Sequence, residues 1–158
     1  MVVEYFTVQF QRTRFIDFSD ISLHLTAITQ RKSGVFRLVL LLDQIPRNIF
    51  RDTGHMFATD PLARWAADRA IAAGYDQAVE KELQAFFYLP FEHSEHAHHQ
   101  MRSVALFEAT GDADNVKWAK LHADIIARFG RFPHRNAALG RESTAAEIVF
   151  LKDGGFAG

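Results

Sequence analysis

Apolar residues in most of this chain recur every three or four positions, which is the spacing of an α-helix that buries one face. From Phe36, leucines and isoleucines keep this spacing as far as Ile49, so we predict a helix that Pro46 bends or ends. Residues 1–34 lack helix start and stop signals. Apolar and polar residues alternate over 2–10, a pattern that allows a short strand.

Two further helices have clear start signals. One begins with Thr59 or Asp60 as its N-cap, has a proline in its first turn and ends at Gly74. The other is short and lies near the end of the chain, where Thr144 and Glu147 have the spacing of a capping box. Both start signals predict where a helix begins without reference to the rest of the fold.

The middle of the chain carries three more helical patterns, each ended by a glycine or a proline. They are 76–89, ended by Pro90; a helix capped by Ser94 and ended by Gly111; and 114–129, ended by Gly130. Helices of this length with short links pack as antiparallel neighbours. We therefore predict one all-α domain over residues 1–158, an array or bundle with a helical core at 35–151 and an atypical segment at 1–34.

Composition limits the functions this domain can have. The chain has 158 residues, 48% of them hydrophobic, and a formal net charge of -1, which argues against binding to nucleic acid or to an anionic membrane surface. It has no cysteine, no signal-peptide pattern near its start and no apolar run long enough to span a membrane. We expect a cytoplasmic protein that binds neither nucleic acid nor membrane.

Polar side chains gather in three segments at helix ends, residues 43–48, 92–99 and 131–136. Arginine offers a planar set of donors to carboxylate or phosphate, and histidine and asparagine can orient a ligand. Because these breaks could meet at one end of the helices, we select their polar residues as candidate ligand-binding residues. They are Asp43, Arg47, Asn48, Glu92, His93, Glu95, Arg131, His134, Arg135 and Asn136.

The same segments carry a family resemblance. The chain resembles a bacterial family known as domain of unknown function 924, on motifs that occur in the family's order from Val35 to Leu151. The motifs are LLDQIPRNIFR at 41–51, FATDPLA at 57–63, YLPFEHSE at 88–95, QMRSVALF at 100–107, DIIARFGRFPHRN at 124–136 and LGREST at 139–144. The resemblance implies an all-helical fold similar to tetratricopeptide-repeat arrays, and it implies no particular reaction. Residues 1–34 lack the aromatic signature with which members typically open.

Three functional hypotheses fit these residues. The first is a binding module whose arginines, histidines and asparagines accept a small carboxylate or phosphate compound, or the acidic end of a peptide. The second is a small hydrolase in which Glu92 or His134 acts as the base, with His93 as a further catalytic candidate. In the third, the arginines pair with Asp43, Glu92, Glu95 or Glu142 and only hold helix ends together.

We expect no metal site and no cofactor, although four of the eight histidines lie between His93 and His99. Glu95 and His98 have the Glu-x-x-His spacing of di-iron bundles, but the chain has no second copy of that motif. Glu92 with His96, or Glu95 with His99, could supply two ligands from one helical face. A solvated, histidine-rich helix face is the simpler interpretation.

Overall fold

The computed structural model describes residues 31–158, apart from the side chain of Lys32, and confirms the all-α class. The possible strand at 2–10 lies outside the described residues. The six α-helices within 31–158 are α1 (Lys32–Ile49), α2 (Asp60–Ala72), α3 (Lys81–Glu92), α4 (Ala97–Thr110), α5 (Ala113–Phe129) and α6 (Ala145–Lys152). Short 3-10 turns at Gly54–Phe57, Asp76–Ala78 and Pro133–Arg135 lie between them. The closer likeness to tetratricopeptide repeats stays a prediction.

Helix α3 lies at the centre of the packing. It contacts α1, α2, α4 and α5, whereas α6 packs against the turn Pro133–Arg135. The main core consists of α3 rings and small or branched side chains from α1 and α2, and Phe107 of α4 packs edge-on against Tyr88 with ring centroids 5.5 Å apart. Each fully buried ring contributes about 2–3 kcal/mol from apolar burial. None of the helices within 31–158 is long and apolar enough to cross a membrane.

A smaller core joins the last part of the chain to α5. Ile125, Ile126 and Phe132 are buried there, with Phe129, Phe150 and Phe156 packed around them. This cluster fixes the turn Pro133–Arg135 against the C-terminal half of α5. The polar residues that follow α5 are therefore carried on a supported turn.

Pro46 and Pro90 both lie within helices, which corrects the helix ends predicted at these two residues. Helix α1 continues past Pro46 to Ile49, and α3 continues past Pro90 to Glu92. A proline at position 46 cannot donate to the carbonyl of Leu42, but the Thr59 hydroxyl donates to that oxygen at 2.6 Å instead. Near the end of α3, the amide of His93 bonds to Leu89 O at 2.9 Å, so the loss of one hydrogen bond does not end the helix.

The structure agrees better with the helix ends predicted at glycines than with the predicted helix starts. Gly111 and Gly130 follow α4 and α5 with φ near +70°, a left-handed conformation that favours glycine. At the starts, His96 takes the N-cap position predicted for Ser94, and the Ser94 hydroxyl accepts a hydrogen bond from the amide of His96 at 3.2 Å. Thr59 holds the N-cap position of α2, although its hydroxyl binds α1 and makes no cap hydrogen bond.

The capping box of α6 is confirmed and predicts a measurable loss. The Glu147 amide donates to the Thr144 hydroxyl at 3.3 Å, and the Thr144 amide donates to the Glu147 carboxylate at 2.7 Å. Replacing Thr144 with Ala removes one acceptor at the helix start and should lower the free energy of unfolding by about 1 kcal/mol. Urea denaturation measures this loss, and Thr144→Ser, which keeps the hydroxyl, should retain most of the stability. An equal loss in both variants would contradict the capping role.

Candidate functional site

A cavity of about 440 Å³ lies where the C-terminal ends of α1 and α3 meet α5 and the turn Pro133–Arg135. Its polar lining comes from four separate parts of the chain. The main polar side chains are Arg47, Asn48, His93, His122, His134 and Arg135. Its volume falls within the range of small-molecule sites, about 300–1,000 Å³.

Helix α1 supplies Arg47, which is held between two carboxylates. Its Nη2 lies 2.7 Å from Asp60 Oδ1 and 3.4 Å from Asp43 Oδ1, the second contact being the i,i+4 pairing expected from sequence. Its Nε is buried without a hydrogen-bond partner in the part of the chain that the structure describes. Asn48, one residue on, is exposed and donates to Gln44 O at 2.8 Å. Arg47 is thus positioned but incompletely satisfied.

Asp43 and His93 form a short contact beside Arg47. The Nδ1 of His93 is 2.7 Å from Asp43 Oδ1, and Asp43 is only 1% exposed. Burial opposes ionisation of Asp43, but the nearby His93 and Arg47 outweigh it and hold its pKa below the usual value. Burial likewise lowers the pKa of His93 more than Asp43 raises it. These directions indicate an ionised Asp43 carboxylate that accepts a hydrogen bond from the protonated Nδ1 of a neutral His93 ring.

Arg135 is a buried cation with little of its hydrogen-bonding capacity used. It is 6% exposed, and its guanidinium carbon lies 4.4 Å from the Phe57 ring centroid and 4.5 Å from that of Phe132. Its nearest carboxylate contact is 3.7 Å, from Nη1 to Asp60 Oδ2, and its Nε is buried with no hydrogen-bond partner among residues 31–158. Burial lowers its pKa to about 10, so the side chain keeps its charge at neutral pH.

Two further histidines line the cavity, and both contact the ring of Phe156. The ring centroid of Phe156 lies 4.6 Å from that of His122 and 5.2 Å from that of His134. Burial is the main cause that lowers the pKa of each histidine to about 4. His122 Nδ1 bonds to Trp118 O at 2.9 Å, whereas His134 Nδ1 is buried without a partner in residues 31–158. Both imidazoles are neutral at pH 7.

Glu92 lies behind the cavity and does not line it. Its Oε1 is 3.3 Å from His122 Nδ1, and the residue is 4% exposed. Burial, with a smaller contribution from the negative charge of Asp43, raises the pKa of Glu92 to about 7. Glu92 therefore titrates near neutrality, and it contacts His122, which lines the cavity.

The remaining candidates form a separate ion-pair network beneath α6. Arg131 contacts the Glu147 carboxylate through Nε at 2.7 Å and Nη2 at 2.9 Å, and Arg141 contacts Glu95 with two bonds of 2.7 and 2.9 Å. Asn136 is buried, donates to Glu147 at 3.3 Å and accepts from Arg141 at 3.0 Å. Neither Glu95, Arg131 nor Asn136 lines the cavity. The residues of this network form their hydrogen bonds with one another.

The histidine-rich start of α4 lies apart from the cavity lining. His98 and His99 have ring centroids 3.8 Å apart, and His99 Nδ1 is 2.8 Å from the Ser94 hydroxyl. Between residues 31 and 158, no group of three or more His, Asp or Glu side chains is arranged to hold a metal ion.

Several lining residues were not selected from sequence. Arg51 follows Arg47 by four positions, just past the end of α1, and that spacing in the sequence could have identified it. His122 sits within an uninterrupted helix, and Phe57 and Phe156 belong to segments without a recognisable site pattern. Only the packing of distant segments brings these residues to one cavity.

The fold and the site define a class, an all-α protein with an arginine- and histidine-lined cavity at helix ends. The family model for bacterial proteins of unknown function, DUF924, matches residues 6–155, and the chain belongs to this family. It is similar to the solved structure of a protein of unknown function, ATU0120, from Agrobacterium tumefaciens, with 47% sequence identity and a TM-score of 0.80. That likeness covers 87% of this chain and 77% of the other. No curated protein matches the chain.

Proposed function

We propose that this protein binds a small anionic molecule, a carboxylate or a phosphate compound, in the cavity lined by Arg47 and Arg135. The observation that carries the proposal is Arg135, a cation that is 6% exposed and has no close hydrogen-bonded counterion within residues 31–158. A buried charge is costly unless an opposite charge and hydrogen bonds compensate it. An anion in the cavity supplies both.

The surroundings of Arg135 support a ligand more than a purely structural role. The guanidinium carbon of Arg135 lies over the rings of Phe57 and Phe132, which supply no oxygen or nitrogen acceptor, so its N–H donors are left for a ligand. Asp60 is shared, since it lies 2.7 Å from Arg47 and 3.7 Å from Arg135. Asp60 is therefore nearer to Arg47 than to Arg135, and a bound anion gives Arg135 the close partner that Asp60 does not provide.

The candidates in the ion-pair network with Glu147 and Arg141 fit a scaffold role. Arg131, Glu95 and Asn136 find partners in Glu147 and Arg141, so a ligand would have to break existing bonds to reach them. We propose that this network holds α6 and the loop before it in place. The scaffold hypothesis and the binding hypothesis thus apply to different parts of the polar sequence.

The hydrolase alternative with Glu92 or His134 as base has one favourable observation, the pKa of Glu92 near 7. A general base must reach the proton that it removes, directly or through one water. Glu92 does not line the cavity, and His134 has one ring nitrogen buried. These positions favour anion binding as the primary proposal.

A pair of variants on one helix tests the proposal. Isothermal titration with inorganic phosphate and with citrate should show binding to the wild-type protein. Arg47→Gln should weaken it about 10- to 100-fold, because a charge-assisted contact contributes about 1.5–3 kcal/mol. Arg37→Gln, an exposed change ten residues away on α1, should bind like the wild type. Absence of binding to both probes, or equal affinity in the two variants, would overturn the proposal.

A further inference from the structure

Asp43 and His93 form a pair whose geometry goes beyond anion binding. The Asp43 carboxylate is fixed by Gln44, which donates from Nε2 at 2.6 Å, and by Arg47 at 3.4 Å. It holds His93 through Nδ1 at 2.7 Å, across 50 positions of sequence. Because Asp43 is 1% exposed and His93 lines the cavity, the carboxylate lies behind the ring and the ring lies at the cavity wall.

The contact with Asp43 leaves Nε2 as the reactive nitrogen of His93. With Nδ1 protonated and donating to a carboxylate, Nε2 of a neutral imidazole carries the lone pair. Burial keeps His93 neutral by lowering its pKa, so this lone pair is present at neutral pH. The carboxylate can stabilise the positive charge that the ring acquires when Nε2 forms a bond.

We propose that His93 is a nucleophile that hydrolyses phosphate monoesters in this cavity, with Asp43 as its positioning residue. This inference rests on the proposed function, because Arg47 and Arg135 must hold the phosphoryl oxygens. Two guanidinium groups neutralise the charge on those oxygens and make phosphorus accessible to an uncharged nucleophile.

The reaction has two balanced steps. The Nε2 lone pair forms a bond to phosphorus while the bond between phosphorus and the ester oxygen breaks, and the departing alkoxide takes a proton from one water, which becomes hydroxide. That hydroxide then forms a bond to the phosphorus of the phosphorylated ring, the nitrogen–phosphorus bond breaks, and hydrogen phosphate leaves with neutral His93 restored. The net change is one monoester and one water converted to one alcohol and one phosphate.

The cavity walls indicate the kind of alcohol. Phe57 and Phe156 line the cavity together with Met56, so an apolar or aromatic alcohol portion finds rings and a thioether there. A volume of about 440 Å³ accommodates a phosphate and one aromatic ring. p-Nitrophenyl phosphate has both parts and releases a coloured product.

The test compares two histidine variants. The wild type and His98→Gln, an exposed change outside the cavity lining, should hydrolyse p-nitrophenyl phosphate at equal rates. His93→Gln should lower kcat at least 100-fold and still bind inorganic phosphate. Mass spectrometry after rapid quenching should find a phosphoryl group on His93 in the wild type and none in His93→Gln. Asp43→Asn should lower kcat while KM changes little.

The two proposals fail in different ways. If the wild type binds phosphate but hydrolyses the ester no faster than His93→Gln, the nucleophile proposal is overturned and the binding proposal stands. If hydrolysis depends on His93 but no phosphorylated histidine is trapped with a slowly hydrolysed substrate analogue, the covalent step is overturned. If the wild type binds neither phosphate nor citrate, the binding proposal fails and the nucleophile proposal fails with it; if it binds citrate alone, only the nucleophile proposal fails.

Discussion

Replacing Asp43 with Ala is expected to lower the free energy of unfolding by about 3 kcal/mol. Asp43 is 1% exposed and accepts from His93 at 2.7 Å, Gln44 at 2.6 Å and Arg47 at 3.4 Å. Removing one partner of a buried charged group leaves the other uncompensated, which costs about 3–5 kcal/mol in dry sites. Arg47 keeps its contact with Asp60 in this variant, so we expect a loss at the lower end of that range. Urea denaturation at pH 7 measures it.

A surface aspartate provides the matched control. Asp68 pairs with Arg102 at 2.6 Å, yet its side chain is 57% exposed and that of Arg102 is 38% exposed. Solvent screens such a pair, so Asp68→Ala should cost at most about 1 kcal/mol. Losses of similar size at positions 43 and 68 would mean that the buried carboxylate does not hold α1 and α3 together.

Much of the helical framework could be predicted because its signals are local. Gly111 and Gly130 adopt the left-handed conformation that only glycine takes at little cost, and Thr144 with Glu147 forms a box within four residues. None of these features depends on a distant partner. Their positions in the sequence therefore predict helix ends directly.

The prolines show where local rules fail. Pro46 removes a donor, and from sequence alone the helix should bend or end there. The freed carbonyl of Leu42 is instead satisfied by Thr59, 17 positions away. A tertiary contact replaced a missing local one, and only the folded structure shows which residue provides it.

The candidate site shows the same difference between contacts that are local in sequence and contacts between distant residues. The Asp43–Arg47 contact follows from helical spacing, but the Asp43–His93 pair spans 50 positions and the Arg141–Glu95 pair spans 46. The sequence singles out Asp43, Arg47, His93 and Glu95 because each lies near a predicted helix end, whereas Arg141 was not among the candidates. The sequence could not divide the candidates into a cavity group and an internally paired group, since that division depends on which helix ends meet.

Glu92→Gln is expected to stabilise the protein at alkaline pH. Burial raises the pKa of Glu92 to about 7 from the ordinary 4.5, so the folded protein keeps a proton that the unfolded chain releases. The unfolded state then binds fewer protons between pH 4.5 and 7, and stability falls as pH rises through that window. Above pH 7 the full cost of about 3 kcal/mol is present. The glutamine side chain of the variant carries no charge, so the variant does not bear this cost.

Denaturation at pH 5 and pH 8.5 measures the difference between wild type and variant. The free energy of unfolding of Glu92→Gln should exceed that of the wild type by up to about 3 kcal/mol at pH 8.5 and by much less at pH 5. Glu82→Gln, an exposed change on the same helix, should show a pH-independent effect below about 0.5 kcal/mol. The lowered pKa of His122 destabilises the fold towards acid pH in wild type and variant alike, so it largely cancels in the comparison. A loss of stability at pH 8.5 would instead mean that Glu92 is ionised and paired with a charged His122.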